Sequence, residues 1–486
     1  MGFPSLATGL YFLASAILLV YAANAYFMVW ACLRSRGALE KSSALRLARG
    51  QALLQGAAGW PSVTTQIPLF NEVAVAERVI RAVCAMDYPN HTVQVLDDST
   101  DETRAVVDRV ADELAAAGFP VEVIRREVRT GYKAGALAGG LRQSQSGFLA
   151  IFDADFIPPP DFLRRTVPHL VACPRAAWVQ ARWGHLNEQL TSLTRAQAVG
   201  IDGHFAIDQG ARGSCGPLFM NFNGTCGVWR REAIEDAGGW TADTLTEDLD
   251  LSYRAQLRGW KGLYLADLVV PGELPGDVAA FKSQQFRWAK GSIQTALKLG
   301  PELLRARVPL QTKVQAWFHL THYAIHPVIL LFAVASLMML LVSPTTGRVW
   351  SVFVLPVALL SLAPTVFYAS GQWILHRDWP RRFLRLPALI LAGIGLAISN
   401  SIAVYEAVAG KVTPFHRTPK QGDRQRRCYR AHPSGSSLTE PAAAAVCLAA
   451  FTIAAMNGRG LDAQFLLLVG AAFLFISTAP YHSRRE

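Results

Sequence analysis

The stretch "TVQVLDDSTDETRAVVDRVADELAAAGFPVEVI", residues 92–124, decides the fold class. It begins with an apolar run that predicts a strand ending in two carboxylates, Asp97 and Asp98. A helical pattern with glycine at its end follows, and "VEVI" predicts a second strand. A strand, a helix and a strand at this spacing predict parallel strands with a helix packed between them.

The same alternation continues on both sides of this stretch. "VTTQIPLF" at 63–70 and "GFLAIFDAD" at 147–155 predict strands, and 71–86 and 133–144 predict helices. We therefore predict an α/β domain with a mostly parallel sheet and helices on both faces. Ligands of such sheets bind at the carboxyl ends of the strands, where both acidic pairs fall. Neither GxGxxG after the first strand nor GxxxxGK[ST] is present, which argues against a dinucleotide cofactor and P-loop hydrolysis.

Long uncharged runs flank this domain. One such run would suit a buried core helix, but five within 170 residues predict an integral membrane protein. The first run has no basic region before it and is too long for a cleavable signal, so we expect a retained anchor. The predicted spans are 6–31, 317–342, 350–372, 440–457 and 462–479.

The net charge of +11 is concentrated beside the apolar runs. By the positive-inside rule, the clusters at 34–49, 376–382, 416–430 and 482–486 should be cytoplasmic. The clusters at 376–382 and 416–430 would then lie on the same side of the membrane, so residues 386–410 between them cannot cross it once. We therefore predict an interfacial or re-entrant helix there. Six spans with one basic loop outside is the alternative.

The composition also bears on partners. The basic groups follow membrane flanks instead of one soluble face, so we expect a lipid bilayer and no nucleic acid as partner. Seven cysteines without a CxxC pair indicate reduced thiols, and neither a disulfide framework nor a zinc site.

Two motifs predict a site for phosphate and metal. "DAD" places Asp153 and Asp155 on one side of an extended segment, and hard cations such as Mg²⁺ or Mn²⁺ prefer oxygen ligands that leave room for phosphate. "RTGYKAGAL" places Lys133 at the start of a small-residue helix that a ligand can approach closely. Taken alone, each motif also fits a solvated loop or an ordinary helix start.

Two further motifs predict the reacting groups. In "TEDLDLSYR", residues 246–254, Asp248 can accept a proton from a hydroxyl nucleophile, while Thr246 can cap the helix that follows. "QQFRW", residues 284–288, offers an Arg for phosphate, amides for sugar hydroxyls and an indole for the apolar face of a sugar. A capped helix start and an amphipathic helix with Trp288 in a core are the alternatives.

The order of these motifs, together with "QIPLFNE", "VQARWGHLN", "FNGTCGVWR" and "FHRTPK", resembles the family 2 inverting glycosyltransferases. Within that family the chain is similar to the processive membrane β-glycan synthases of the cellulose synthase superfamily. The wording "QVLDDSTDET" and "FNGT-GVWR" looks closest to bacterial relatives of the glucomannan (cellulose synthase-like A) mannosyltransferases. The resemblance implies a GT-A type nucleotide-sugar-binding domain inserted between transmembrane helices.

The resemblance also implies roles, residue by residue. The catalytic residues would be Asp248, as general base, and Glu247. The remaining positions fall into a donor site, a metal site, an acceptor site and a gating loop. The metal site would consist of the carboxylates of Asp153 and Asp155 in "DAD", a DxD segment in which any residue can stand between the two aspartates. The donor site would be Asp98, Lys133, Asp153, Asp155 and Arg287, the acceptor site Trp288, Gln284, Gln285, Asn223, Gly224 and Thr225, and the gating loop Phe415, Arg417 and Thr418. Asn223 departs from the pattern, because cellulose synthases have a cysteine near this position.

The predicted domain plan follows from the runs and the resemblance. It is a transmembrane helix at 1–33, a cytoplasmic linker at 34–61, a cytoplasmic GT-A domain at 62–312, two transmembrane helices at 313–375, an interfacial helix and gating loop at 376–439, and two transmembrane helices with a short cytoplasmic tail at 440–486. The resemblance places such a protein in the inner or plasma membrane, with no export partner or oligomer specified.

The expected activity is transfer of a hexose from GDP-mannose or UDP-glucose, with Mg²⁺ or Mn²⁺, to the non-reducing end of a β-mannan, glucomannan or glucan that moves through the membrane. Two alternatives stay open. One is a non-processive enzyme that adds a single sugar to a glycolipid. The other is a transporter, which the lack of intramembrane charges and of an inverted repeat disfavours.

Overall fold

The computed structural model describes residues 3–56, 59–213, 218–342, 354–412, 422 and 438–478. At its centre lies a seven-stranded sheet. Its strands are β1 Val63–Leu69, β2 His91–Asp97, β3 Val121–Ile124, β4 Phe148–Ile151, β5 Ala176–His185, β6 Gly227–Arg230 and β7 Lys261–Gly272.

The helices within the first 305 residues include those that cover this sheet. They are α1 Phe3–Gln55, α2 Ala76–Cys84, α3 Thr103–Ala116, α4 Tyr132–Gln143, α5 Phe162–Ala172, α6 Ser192–Gly203, α7 Gly210–Arg212, α8 Arg231–Asp236, α9 Glu247–Leu257 and α10 Val278–Arg305. A π-helical turn, His204–Gln209, joins α6 to α7.

The sheet is mostly parallel, as the alternation of elements predicts. Its strand order is β3-β2-β1-β4-β6-β5-β7. Only β6 runs antiparallel to its neighbours β4 and β5, so β5 and β4 point the same way. The carboxyl ends of β1, β2, β4 and β5 therefore share one edge of the sheet, and this edge carries the acidic residues.

Helices cover both faces of the sheet because its strands are apolar on both sides. In β4, Phe148 and Ala150 join one buried cluster while Leu149 and Ile151 join the other, as the alternation of side chains along a strand requires. Helices α2, α3 and α5 pack into the first cluster, and α4, α8 and α9 into the second. A continuous apolar strand of this kind is typical of a sheet buried on both faces.

The first helix corrects one prediction. The expected linker at 34–61 is helical as far as Gln55, because α1 continues unbroken past its apolar first half. Leu39 and Leu54 on this extension are buried. Gly50 lets α1 cross α5 closely, since a Cβ there would stand 2.0 Å from the carbonyl oxygen of Pro168. Packing against the domain thus keeps residues helical that a charge-rich sequence suggests are a linker.

The remaining helices are largely apolar. They are α11 Leu310–Thr321, α12 Ile325–Val342, α13 Val354–Leu375, α14 Trp379–Phe383, α15 Leu386–Gly395, α16 Ala397–Val408, α17 Thr439–Met456 and α18 Gln464–Thr478. Within the described residues, three helical segments are long and apolar enough to cross a membrane: Ser5–Gln55, Leu310–Val342 and Thr439–Met456. The chain is therefore a membrane protein.

Two predicted membrane segments take a different form. The helix in the expected span 462–479 has only 15 residues, Gln464–Thr478. In 386–410 the chain bends by 43° between Trp379–Gly395 and Ala397–Val408. A bend of this size is found in broken spans and in re-entrant helices, so the interfacial helix stays a prediction.

Helix α10 connects the sheet domain to the membrane helices. It carries "QQFRW" near its start and packs on α9, α11 and α16. Two of its lysines are buried in ion pairs with the later helices, Lys282 with Glu440 and Lys290 with Glu406. The position of "QQFRW" relative to the sheet is thus tied to both parts of the protein.

Candidate active site

A cleft opens at the carboxyl edge of the sheet and brings most of the predicted site residues together. Its wall combines strand ends, the loop before β6, the start of α9 and one face of α10. The predicted residues that line it are Asp98, Lys133, Asp153, Asp155, Asn223, Gly224, Glu247, Asp248, Gln284, Arg287 and Trp288. Residues more than 180 positions apart in the chain therefore form one site.

At the β2 end of the cleft, arginines hold the carboxylate of Asp98. Arg126 donates to both of its oxygens, with 3.0 Å between Arg126 Nε and Asp98 Oδ1. Arg129 lies 3.9 Å from the same carboxylate, and its guanidinium stacks 3.5 Å from the ring centre of Phe70. Asp97 is buried and bonded to Arg125 instead. Of the strand-end pair, only Asp98 thus lines the cleft.

In the middle of the cleft, Lys133 joins the DxD segment to the loop before β6. Its Nζ donates to Asp153 Oδ1 at 2.6 Å and to the carbonyl oxygen of Gly224 at 2.9 Å. Burial disfavours the ammonium, but the charges of Asp153, Glu247 and Asp248 outweigh burial and raise the pKa of Lys133 above its ordinary value. A fixed positive charge therefore stands beside the DxD carboxylates.

Asp248 is a half-buried carboxyl group at the first turn of α9. Burial and the neighbouring charge of Glu247 raise its pKa to about 7, against the opposing charge of Lys133. Its Oδ1 accepts a 2.8 Å hydrogen bond from the backbone N–H of Leu249. A carboxylate with a pKa near neutral pH is suited to general base catalysis, because it is partly ionised and can still take up a proton.

Gly224 leaves the space in front of this carboxylate open. Its φ is +79°, a conformation in which side chains are strained. A Cβ at this position would stand 2.8 Å from Asp248 Oδ2 and 3.3 Å from Lys133 Nζ. A glycine is therefore required both by the turn and by the close approach of the base and the lysine.

Helix α10 is packed directly against the start of α9. A Cβ on Gly291 would lie 2.6 Å from Thr246 Cγ2, and Gln294 Oε1 accepts a hydrogen bond from the N–H of Leu245 at 3.0 Å. This contact fixes Asp248 relative to Trp288, which lies on the same helix as Gly291. The motifs "TEDLDLSYR" and "QQFRW" therefore lie on two helices that this contact holds together.

The predicted cap is wrong. Thr246 occupies the N-cap position of α9, but its side chain makes no capping hydrogen bond. Its hydroxyl instead lies 3.4 Å from the Thr295 hydroxyl of α10. The close packing of α10 draws the hydroxyl away from the backbone of its own helix.

Two predicted acceptor residues do not line the cleft. Gln285 points away from it and accepts a hydrogen bond from Tyr323 Oη at 3.2 Å, because one step along a helix turns a side chain to another face. Thr225 is buried behind the DxD segment, where its hydroxyl accepts from the N–H of Asp153 at 2.9 Å. Both support the site from outside the cleft.

The predicted gating loop, with Phe415, Arg417 and Thr418, lies outside the described residues. Gly422, just beyond it in the chain, is described. Its N–H donates to Glu273 Oε2 at 3.2 Å, and Glu273 lines the cleft. The chain that follows "FHRTPK" therefore reaches the rim of the cleft.

Sequence reasoning missed several residues of this cleft. Arg126, beside the cleft, and Arg129, in its wall, belong to "RREVRT", where nothing in the local pattern marks them as partners of Asp98. Trp183 and His185 lie in "QARWGH", and both line the cleft from the end of β5. The sequence analysis did not predict β5. The available signal was the spacing of two residues, because residues spaced in this way on a strand share a face.

The donor atoms suit a metal that is completed by its ligand. Among the described residues, no group of three or more His, Cys, Asp and Glu side chains could hold a metal ion. Asp153 and Asp155 both line the cleft beside Lys133. One or two carboxylates with oxygens of a bound phosphate are the usual set for Mg²⁺, so these residues fit such an ion.

The fold and the matched residues together define the class. Residues 61–291 match the family described as "Glycosyltransferase like family 2". The fold is shared with the mannosyltransferase PcManGT from Pyrobaculum calidifontis, in complex with GDP-Man and Mn²⁺, at a TM-score of 0.51 and 19% identity over 79% of this chain and 100% of that one. The chain thus has the GT-A fold, and its domain belongs to glycosyltransferase-like family 2.

Relatives with closer sequences come from plants. The chain is 38% identical over 352 residues to glucomannan 4-beta-mannosyltransferase 7 of Arabidopsis thaliana, covering 69% of the chain and 63% of the relative. It is 45% identical over 268 residues to glucomannan 4-beta-mannosyltransferase 2 of that plant, covering 54% and 49%. The chain therefore spans about half to two thirds of the length of these relatives. The resemblance to the glucomannan mannosyltransferases inferred from the motifs is confirmed.

Proposed function

We propose that this chain is an inverting hexosyltransferase that extends a β-linked glycan of the mannan or glucomannan type. The donor is a nucleotide sugar, GDP-mannose in the first place and UDP-glucose as the second candidate. Three independent facts support this: the family 2 domain, the similarity to glucomannan 4-beta-mannosyltransferases, and a cleft with the required groups. The fold neighbour was solved with GDP-Man and Mn²⁺, which agrees with this donor.

The observation that carries the proposal is the environment of Asp248. It is a half-buried carboxyl group with a pKa of about 7, it faces the open space in front of Gly224, and Lys133 and the DxD segment lie beside it. A hydroxyl nucleophile needs such a base at the moment of attack.

The donor is expected to lie along the carboxyl edge of the sheet. Asp98 and the ring of Phe70 stand at the nucleoside end, where Arg126 and Arg129 fix the carboxylate. Lys133 and Arg287 supply positive charge for the diphosphate in the middle of the cleft. Mg²⁺ or Mn²⁺ held by Asp153 and Asp155 would neutralise charge on the departing diphosphate.

The chemical step is one in-line displacement. The acceptor oxygen forms a bond to the anomeric carbon as the bond from that carbon to the diphosphate oxygen breaks. The hydroxyl proton passes to Asp248, and Lys133 and Arg287 stabilise the negative charge of the leaving group. Attack from the opposite side inverts an α-linked donor to a β-linked product.

The membrane helices suggest where the product goes. Trp288, the proposed platform for the acceptor sugar, lies on α10, which is tied to the later helices through Lys282 and Lys290. We propose that the cleft faces the cytoplasm of a cell with the chain in its plasma membrane, and that repeated addition feeds the glycan through the bilayer. Basic clusters beside the apolar runs support this orientation.

The base is tested with Asp248→Asn in membranes that contain the full chain. Transfer from GDP-mannose or UDP-glucose should fall by about 10²–10⁴-fold, the usual contribution of a general base. The matched control is Asp243→Asn, because Asp243 is nearby but half-exposed and does not line the cleft. Normal transfer by Asp248→Asn would refute the mechanism, and no transfer by the wild-type chain with either donor would refute the function.

Product length separates polymer synthesis from glycolipid synthesis. We expect chains of many β-linked residues. A β-mannanase should shorten these chains, and linkage analysis should identify the bonds between their sugars. A single sugar on lipid as the sole product would instead establish the non-processive alternative.

A further inference from the structure

A buried carboxylate next to the cleft gathers three donors. Asp202, on α6, is 1% exposed and accepts from His185 Nε2 at 3.0 Å, Gln372 Nε2 at 3.0 Å and His376 Nε2 at 2.8 Å. Burial alone would raise the pKa of Asp202, but the hydrogen bonds from His185 and His376 outweigh burial and hold it below its ordinary value. Asp202 is therefore an ionised acceptor.

This contact sets the state of the His185 ring. Because Nε2 faces the Asp202 carboxylate, Nε2 carries the hydrogen, and in the tautomer that this contact selects Nδ1 is an acceptor. The His185 side chain is 6% exposed and lines the cleft. Its Nδ1 is buried and has no hydrogen-bond partner among the described residues.

Two other residues of the cleft also have a buried polar atom without a hydrogen-bond partner among the described residues. Trp183 Nε1 and Asn223 Nδ2 are also buried without a hydrogen-bond partner in the described part of the chain. Buried polar atoms without partners are uncommon, and each needs an explanation. An acceptor on His185 and donors on Trp183 and Asn223 are what a molecule with several hydroxyl groups can satisfy.

The sheet order shows which part of the ligand these atoms meet. Asp98 stands after β2, and Asp153 follows β4, two strands further on. His185 ends β5, which lies two more strands away in the same direction. With about 4.8 Å between strands, the end of β5 is displaced by about 10 Å across the sheet from the DxD segment, on the side away from the nucleoside end. With the donor placed as proposed, that side is left for the acceptor.

We infer that His185 binds an acceptor sugar hydroxyl through Nδ1, and that Asp202 is the positioning residue that holds the ring in the accepting tautomer. This inference rests on the proposed function and adds a residue of the acceptor site that the motifs do not contain. The ligand class is a β-linked hexose chain. One of its hydroxyl groups can donate to Nδ1 of His185, while neighbouring oxygens of the chain accept from Trp183 and Asn223.

The test uses the full chain, GDP-mannose and β-1,4-mannotetraose as added acceptor. In His185→Gln the side-chain amide reaches the position of Nε2 and can keep the contact with Asp202, but no polar atom remains at the position of Nδ1. We expect the KM for mannotetraose to rise about tenfold or more, the effect of one lost hydrogen bond to a buried group. The KM for GDP-mannose and its slow hydrolysis without acceptor should stay within about twofold of wild type.

Three variants separate binding from mere structural support. His185→Asn places an amide at the bonded position of Nδ1 and should recover part of the acceptor affinity. His376→Leu removes another donor from Asp202 without touching the cleft, and should leave the KM for mannotetraose unchanged. Asp202→Asn can donate to Nε2 and so reverse the tautomer, which should reproduce the defect of His185→Gln without adding to it in the double variant.

Several outcomes would overturn the inference. They are an unchanged KM for mannotetraose in His185→Gln, an equal rise in His376→Leu, or additive defects in the double variant. Failure of the proposed function looks different, because wild-type protein would then neither hydrolyse GDP-mannose nor transfer from it. The hydrolysis rate also reports folding, so loss of transfer together with hydrolysis in one variant would assign that residue a structural role and count against the inference.

Discussion

The raised pKa of Asp248 predicts how the activity of this protein depends on pH. The group must be ionised to act as a base, so activity falls as the pH drops through its pKa. Burial and Glu247 raise that pKa to about 7. A group with this pKa is about one-tenth ionised at pH 6, so kcat/KM at pH 6 should be about tenfold below its plateau at high pH. An ordinary aspartate would give a flat profile here.

Glu247→Gln turns this into a directional test. Removing the like charge lowers the pKa of Asp248, so the acid limb should move to lower pH and a larger share of the plateau should remain at pH 6. The assay is nucleotide release from GDP-mannose by membranes between pH 5.5 and 8.5, with each variant compared with its own plateau. Glu235→Gln is the matched control, because Glu235 is half-exposed and pairs with Arg231 outside the cleft.

Two results would refute this account of the base. One is a wild-type profile that is flat across pH 6 to 8, which would mean that Asp248 is not the group that limits the reaction or that its pKa is ordinary. The other is an acid limb that stays in place in Glu247→Gln, which would remove the neighbouring charge as a cause. A shift of the acid limb to higher pH in Glu247→Gln would contradict the predicted direction of the change in the pKa of Asp248.

Three further predictions concern space and metal. Gly224→Ala brings a Cβ to 2.8 Å from Asp248 Oδ2 at a positive φ, so kcat should fall about tenfold or more, with about 1–2 kcal/mol of strain measured as lower unfolding free energy. Gly291→Ala places a Cβ 2.6 Å from Thr246 Cγ2, so kcat should fall with little change in the KM for donor. EDTA should abolish transfer, and added Mn²⁺ or Mg²⁺ should restore it if the DxD carboxylates around Asp153 hold the ion; full activity in EDTA would exclude this.

Strands β1 to β4 could be predicted because their information is local. Those near the site are apolar runs that end in polar residues, as in Leu96–Asp97–Asp98 and Phe152–Asp153, and such runs are evident in one window of sequence. The start of α9 at Glu247 likewise follows from the acidic first turn. These features need no knowledge of what packs against them.

The missed features all depend on contacts between distant parts of the chain. Residues after Leu33 remain helical because α5 supports them, and Thr246 loses its capping role because α10 occupies the space beside it. The pair His185–Asp202 joins a strand end to a helix that no motif links to it. Antiparallel β6 inside a parallel sheet is also a matter of topology, since its four residues carry no signal of direction.

The contact between the sheet domain and the membrane helices has a consequence for biogenesis. One hydrophobic cluster takes three of its buried members from α6 and α10 and three from α15, the residue that follows α15, and α18: Leu193, Val278, Phe281, Ala392, Leu396 and Ile476. The ribosome makes α18 about 170 residues after α10, so the apolar residues of α6 and α10 in this cluster stay uncovered until synthesis of α18. We therefore expect truncation before α18 to leave an exposed apolar surface on the sheet domain and to promote aggregation.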